Sequence, residues 1–276
     1  MVVKSLSQVV AEELPSALES LDTIAQRLDG AHSAVLLDYD GTLTPIVSRP
    51  EDAELAEPMR EMIRNLSECC TVGIITGRDM EVIQELVGLK HLVYATGHGF
   101  EIALPNGQVI HPRCVGEFLA AIDGAESMLR SRLADIEGVL LERKRFSVAV
   151  HYRTVLPQRQ DHVTGIVDDV LIDLQQLRRL DGKKVYEILP QLQWHKGKAI
   201  RWVMGSLGIK PTKLLYIGDD ITDEDVFCEI RGQGMGILVR DGARSTAASY
   251  CLGDQREVQP FLQGLIERLT SYRRGT

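Results

Sequence analysis

Two apolar runs far apart in the chain each end in a pair of aspartates: "AVLLDYD" at residues 34–40 and "KLLYIGDD" at residues 213–220. A short continuous apolar run of this kind is the pattern of a strand buried on both faces, as in a parallel sheet. Two carboxylates are an unfavourable way to end such a strand. Like charges a few ångströms apart repel strongly in a partly desolvated site. The feature therefore constrains fold and chemistry together: these strand ends must face a crevice in which something positive offsets them.

The residues between and around the two runs support a parallel sheet. "EPMREMIRNLSEC" (57–69) reads as a helix with Pro58 in its first turn, and "TVGIITGR" (71–78) as a second buried strand. "DMEVIQELVG" (79–88) reads as a helix that Asp79 is placed to N-cap, and "HLVYATGHG" (91–99) as a third strand ending in glycines. Strand, helix, strand, helix, strand predicts a Rossmann-like α/β fold with helices on both faces of the sheet. The rhythm changes near Asn106-Gly107, a tight-turn signal. A helix over about 116–134, two alternating strands in "GVLLERKRFSVAVHYR" (138–153), a helix after Pro157 and a strand in "KKVYEILP" (183–190) compose a small α+β module. The α/β pattern then returns with a helix at 196–208 ended by Gly208, the second aspartate-ended strand, a helix in "DEDVFCEIRG" and a strand in "GMGILV". Residues 31–104 and 190–276 are thus expected to form one α/β core, interrupted by an inserted α+β domain at 105–189. Ahead of them, in residues 1–30, Leu6, Val9, Val10, Leu14, Leu18, Leu21, Ile24 and Leu28 recur every three or four positions. They predict an amphipathic helical segment, broken near Pro15, lying against the core.

Composition narrows the functional classes. The 276 residues carry a formal net charge of -8, which argues against nucleic acid as a partner. No apolar stretch reaches the roughly 18 residues of a membrane span, and the acids near the N-terminus do not suit a signal peptide. A cytoplasmic protein is expected, with no membrane or nucleic-acid partner; a monomer is expected, with nothing in the sequence against an oligomer. The five cysteines, Cys69, Cys70, Cys114, Cys228 and Cys251, form no C-x-x-C pair and read as thiols in a reducing compartment.

Ligands bind at the carboxyl ends of strands in such sheets. Those ends carry Asp38 and Asp40; Thr76, Gly77 and Arg78; Gly97, His98 and Gly99; and Asp219, Asp220 and Asp223. Up to five carboxylates would share one crevice. An oxygen-only donor set without a suitable His/Cys group favours a hard divalent cation, most simply Mg2+. A lone D-x-D is more often a solvated turn; the second group, "GDDITDED", removes that reading.

"DYDGTL", "ITGR", "HKGKA" and "GDDITDED", in that order, resemble the four motifs of the haloacid dehalogenase superfamily of phosphotransferases. "LLDYDGTLTPIV", "ATGHGFEI", "ERKRFSVAVHYR", "VYEILP" and "WHKGKA" further resemble the trehalose-6-phosphate phosphatase branch, over residues 34–262. The resemblance implies a covalent mechanism. Asp38 is the nucleophile that becomes an aspartyl phosphate, and Asp40 is the acid and then the base. Mg2+ ligands are Asp38, the main-chain carbonyl of Asp40 and Asp219, with Asp220 and Asp223 supporting. Thr76 and the Gly77 amide hold phosphate, with Arg78 beside them. Lys196 neutralises Asp38 and phosphate, with Lys198 the rival. Thr76 stands where many members have serine, and the hydroxyl survives.

The inserted module resembles a cap that closes over the site. Glu142 and Lys144, two apart on an expected strand, share a face. With Glu187 they match the branch's glucosyl-binding E-x-K pair and glutamate. From spacing alone they would read as surface charges. His98 either contacts the substrate or closes its strand end. The expected activity is Mg2+-dependent hydrolysis of trehalose 6-phosphate, a small-molecule sugar phosphate. Rival readings are a phosphatase for sucrose-6-phosphate or glucosylglycerol phosphate, a phosphosugar mutase, and a catalytically silent sugar-phosphate-binding regulator.

Overall fold

The computed structural model describes residues 9–28, 32–47, 52–112 and 115–274; Leu6 and Cys114 lie outside them. The described N-terminal residues are less helical than the expected segment broken near Pro15. Val9–Val10 form a short strand, β1, and only Leu21–Leu28 is α-helical, α1. Pro15 lacks the amide that a helix would need there, and the β-branched pair finds strand partners in Thr246 and Ser245 instead. α1 still lies against the core as expected, burying Leu21, Ile24, Ala25 and Leu28.

Strands and helices then alternate as the apolar pattern predicts: β2 (Ala34–Leu37), α2 (Glu57–Cys69), β3 (Thr71–Ile75), α3 (Met80–Val87) and β4 (Val93–Thr96). Asp79 occupies the N-cap position of α3 but leaves that helix uncapped by a side chain. Both of its carboxylate oxygens instead accept from the backbone N–H of Arg145, at 3.1 and 3.0 Å. After β4 the chain folds back through β5 (Glu101–Ala103) and β6 (Val109–Ile110), which are antiparallel to their neighbours. Pro105, Asn106 and Gly107 lie in the turn between them, so the large sheet continues past residue 105 to Ile110.

The next elements leave that sheet. α4 (Leu119–Arg132), β7 (Leu140–Lys144), β8 (Ser147–His151), α5 (Pro157–Asp173), β9 (Leu177–Gly182) and β10 (Val185–Pro190) form an antiparallel sheet of order β7-β8-β10-β9. Ile122, Ala125 and Leu129 of α4 and Val163, Val167 and Val170 of α5 cover one face, packing on Val148, Val150 and Ile188. Period two then turns Glu142, Lys144, Ser147, His151 and Glu187 to the opposite face.

The chain returns through α6 (Lys196–Leu207), β11 (Leu214–Gly218), α7 (Glu224–Ile230), β12 (Met235–Val239), β13 (Ser245–Thr246), β14 (Tyr250–Leu252) and α8 (Val258–Arg274). Gly208, in the left-handed region, ends α6. The large sheet runs β14-β12-β11-β2-β3-β4-β5-β6, parallel from β14 to β4. Val35 and Leu37 pack under α1, α2, α3 and α8, whereas Leu36 packs under α6 and α7. Chain order runs outward on both sides of the β2–β11 boundary, and a crevice opens beyond the strand ends at that reversal. Phe100, Val115, Phe146 and Leu189 form a small apolar cluster between the two sheets. None of the helices among the described residues is long and apolar enough to cross a membrane.

Candidate active site

The first aspartate pair parts as the strand ends. Asp38 remains tied to the sheet, its N–H donating to the Ile217 carbonyl at 2.9 Å. Two residues later the Asp40 carboxylate is held by the Arg78 guanidinium through two hydrogen bonds of 2.8 and 2.7 Å, and Arg78 also lies over the Tyr39 ring. Gly41 makes the turn possible. Its φ is +86°, and any Cβ there would collide with the Asp219 carboxylate.

Asp38, Asp219 and Asp223 converge instead. One oxygen from each lies within 4.8 Å of the others, and all three residues are buried. Lys196, the first residue of α6, reaches into this group and donates to Asp38 Oδ1 and Asp223 Oδ1, both at 2.8 Å. Asp223 also accepts from the Tyr216 hydroxyl at 2.6 Å and from the amides of Asp219 and Asp220 at 2.9 Å. Burial favours the protonated form of Asp223, but Lys196, Tyr216 and the Asp220 amide outweigh it and hold its pKa down. At Asp38 burial prevails over the attraction of Lys196, so its pKa is raised. Asp219 is raised to about 6 by burial, against the pull of Lys183. Burial works against the Lys196 ammonium, yet Asp223 and Asp38 push its pKa up.

The expected set of five carboxylates is narrower than its sequence suggests. Asp40 and Asp220 line the same cleft, but their carboxylates stand outside the three-membered group. Asp40 is turned to Arg78. Asp220 caps the turn before α7 in a reciprocal box with Asp223, its Oδ1 buried and unpartnered. The rival lysine, Lys198, points elsewhere, to the Gln193 carbonyl at 2.5 Å. The three convergent carboxylates offer only oxygen, the donor set a hard divalent cation takes.

Thr76 and Gly77 follow β3, and the Thr76 hydroxyl accepts from the Arg78 amide at 3.2 Å. His98 takes the left-handed conformation, φ 58°, in the turn after β4, which sets its ring beside Gly77. The opposite wall of the cleft is the open face of the small sheet: Glu142, Lys144, His151 and Glu187 line it together with Thr76, Arg78 and His98. Lys144 Nζ lies 3.1 Å from each oxygen of Glu187, Ser147 Oγ donates to Glu187 at 2.5 Å, and His98 Nε2 stands 3.4 Å away. Burial opposes the Glu187 carboxylate, but Lys144, His98 and Ser147 hold its pKa well below the usual range. Glu142 pairs with His151 at 2.9 Å.

Several residues here carry no motif signal. Lys183, in the two-residue turn between β9 and β10, extends from the small sheet to the large one and donates to Asp219 Oδ2 at 2.5 Å and Asp241 Oδ2 at 2.8 Å. Arg244 donates to the main-chain carbonyls of Asp219 and Asp220. Ser147 and His151 could have been found from the alternation of "SVAVH", which puts both on the face of Glu142 and Lys144; Lys183 and Arg244 act across distances no local pattern reports.

A sequence profile of the trehalose-phosphatase family matches residues 36–256. A probable trehalose-phosphate phosphatase D of Arabidopsis thaliana is 39% identical over 92% of this chain and 72% of its own length. Among solved structures, a trehalose-6-phosphate phosphatase related protein shares 27% identity with a TM-score of 0.76, over 87% of this chain and 99% of that one. The C-terminal domain of C. albicans trehalose-6-phosphate phosphatase, at 21% identity and a TM-score of 0.79, covers 92% of this chain and 98% of itself, and shares its fold.

Proposed function

This chain belongs to the trehalose-phosphatase family, and we propose that it hydrolyses trehalose 6-phosphate to trehalose and phosphate, with Mg2+, through an aspartyl phosphate on Asp38. The observation that carries the reading is the two-sided cleft. Asp38 and Lys196 lie on the large-sheet side, and Glu142, Lys144 and Glu187 lie on the small-sheet side.

The residues divide the work as follows. Lys196 holds Asp38 in place and favours its ionised form against burial, and its ammonium can face the phosphoryl oxygens as they approach. Thr76 and the Gly77 amide orient those oxygens. An Asp38 oxygen attacks phosphorus, and the bond from phosphorus to the sugar oxygen breaks. That oxygen takes a proton from Asp40. Asp40 then accepts a proton from water, whose oxygen attacks phosphorus and frees Asp38 with release of phosphate. The separation of Asp38 from Asp40, maintained by Arg78, lets two neighbouring carboxylates play these different parts. Asp38, Asp219 and the Asp40 carbonyl would hold Mg2+, with Asp223 and Asp220 supporting. The ion supplies charge neutralisation at the phosphoryl group when bound.

We take the small sheet and its helices as a cap that selects the sugar and excludes water. Its hydroxyl-binding groups are Glu142, Lys144 and Glu187, with His98 at the junction. We place the protein in the cytoplasm, in keeping with the free thiols among the described residues, and as a monomer, since one chain supplies every group named here. Phosphate release from a panel of sugar phosphates, with Mg2+ and with EDTA, tests the reading. A strong Mg2+-dependent preference for trehalose 6-phosphate is expected. Preference for sucrose-6-phosphate or glucosylglycerol phosphate would replace the substrate and keep the chemistry. No release from any of them would overturn both.

A further inference from the structure

The two glutamates on the cap face are not equivalent. Glu187 is held by three neighbours: Lys144 contacts both its oxygens, Ser147 donates to Oε1, His98 stands by Oε2, and the side chain is only 8% exposed. Glu142 is 37% exposed and has a single hydrogen-bond partner among the described residues, His151 Nε2 at 2.9 Å from Oε2. Its other oxygen is left to the cleft. His151 ends β8, with Leu140 on one neighbouring strand and Val185 on the other, and its ring reaches along the sheet to Glu142. It lies within the "ERKRFSVAVHYR" segment, but no role has been given to it above.

We propose that His151 is a positioning residue for substrate specificity: its imidazole pins the Glu142 carboxylate so that the free oxygen accepts hydroxyl hydrogens of the sugar. The proposal rests on the sugar-phosphate reading of this cleft. An unpinned glutamate on a strand samples several rotamers and must give up that freedom when a sugar binds. A carboxylate already fixed by one strong donor retains a lone-pair direction for hydroxyls without that loss. His151 therefore acts through Glu142 and not on the phosphoryl group. Its removal should affect capture of the sugar and leave the chemistry at Asp38 untouched.

The test compares wild type, H151L, H151Q, E142Q and the H151L/E142Q double variant on trehalose 6-phosphate and on p-nitrophenyl phosphate, which has no sugar. H151L is expected to raise KM for trehalose 6-phosphate about tenfold with kcat within about twofold, and to leave both constants for p-nitrophenyl phosphate unchanged. H151Q, whose amide can donate to Glu142 as the imidazole does, should recover most of the loss. The double variant should be no worse than E142Q alone, because the two act as one unit. Calorimetric titration with trehalose should show the same weakening without turnover. An unchanged KM in H151L, equal losses on both substrates, or losses that multiply in the double variant would overturn the proposal. If H151L fails to fold, H151Q and E142Q decide: H151Q should stay near wild type while E142Q shows the KM split, and a reversed order sinks the idea. If wild type prefers another sugar phosphate, the trehalose reading fails, and His151 is judged by the same KM split on that substrate. If wild type hydrolyses no sugar phosphate, both fail.

Discussion

Lys196 can be removed with a calculable result. Its side chain is 4% exposed, and it lies between Asp38, 6% exposed, and Asp223, fully buried, at 2.8 Å from each. In K196M the volume is nearly kept, so the cavity contribution is small. What remains is two buried carboxylates facing each other without their cation. Removing one partner of a buried charge pair costs about 3–5 kcal/mol. Two features put the expected value near the low end. Asp223 keeps the Tyr216 hydroxyl and two backbone amides. Asp38, already raised above 3.8 by burial, can escape by taking a proton. A loss of about 3 kcal/mol at pH 7 in EDTA follows, a drop in melting temperature of roughly 6–12 °C for a chain of this size. The sign of the pH dependence is fixed by the same reasoning. A carboxyl whose folded pKa exceeds its unfolded one binds its proton more tightly in the native state, so stability rises as pH falls through the folded value toward 3.8. The K196M deficit should therefore shrink on acidification, and Mg2+ should reduce it at pH 7 by binding the native state. Melts in EDTA across pH 5–8, then with Mg2+, measure all of this. A K196M variant within about 1 kcal/mol of wild type at pH 7, with no acid recovery, would refute the neutralising role of the lysine.

Three further outcomes are expected. D38N should lose more than about 10³-fold in kcat while its circular dichroism and melting curve stay near wild type; appreciable turnover would end the aspartyl-phosphate mechanism. Glu187, held well below its ordinary 4.5, adds stability that is present above that value and is lost as pH falls beneath it, so the gap between wild type and E187Q should narrow below pH 4.5; a gap constant to pH 3 would contradict the Lys144–Glu187 pairing as the cause. K183M should bind Mg2+ about tenfold more tightly by calorimetry without substrate, since Asp219 no longer has an ammonium competing for it; weaker binding would show that Lys183 helps build the cation site.

The large sheet was legible because a strand buried on both faces must be a continuous apolar run. β2, β3, β4, β11 and β12 all announce themselves this way. β9 does not: "LRRLDG" has three charged residues, and it is a strand only because β10 pairs along its whole length. β1, β13 and β14 are two or three residues long, too short for any period to register. α8 carries Leu262, Leu265 and Leu269 at helical spacing, but Pro260 and Gly264 interrupt the signal. That Asp38, Asp40, Asp219, Asp220 and Asp223 would share one crevice was readable from the strand ends; which three of them converge was not. The turn of Asp40 toward Arg78, the capping duty of Asp220 and the reach of Lys183 depend on side-chain directions that sequence spacing leaves undetermined.

Asp79 carries a consequence for how the two sheets part. It gives its carboxylate to the amide of Arg145 in the small module and leaves the first turn of its own helix without a side-chain cap. A movement that separated the sheets would free that carboxylate to cap its own helix. The bond given up is worth about 0.5–1.5 kcal/mol net, and an N-cap regained is worth about 1 kcal/mol. At this contact the docked and undocked arrangements are nearly isoenergetic. The joint is therefore soft at Asp79, and the hold across the cleft falls to Lys183, which reaches Asp219 and Asp241, and to the Phe100–Phe146 contact.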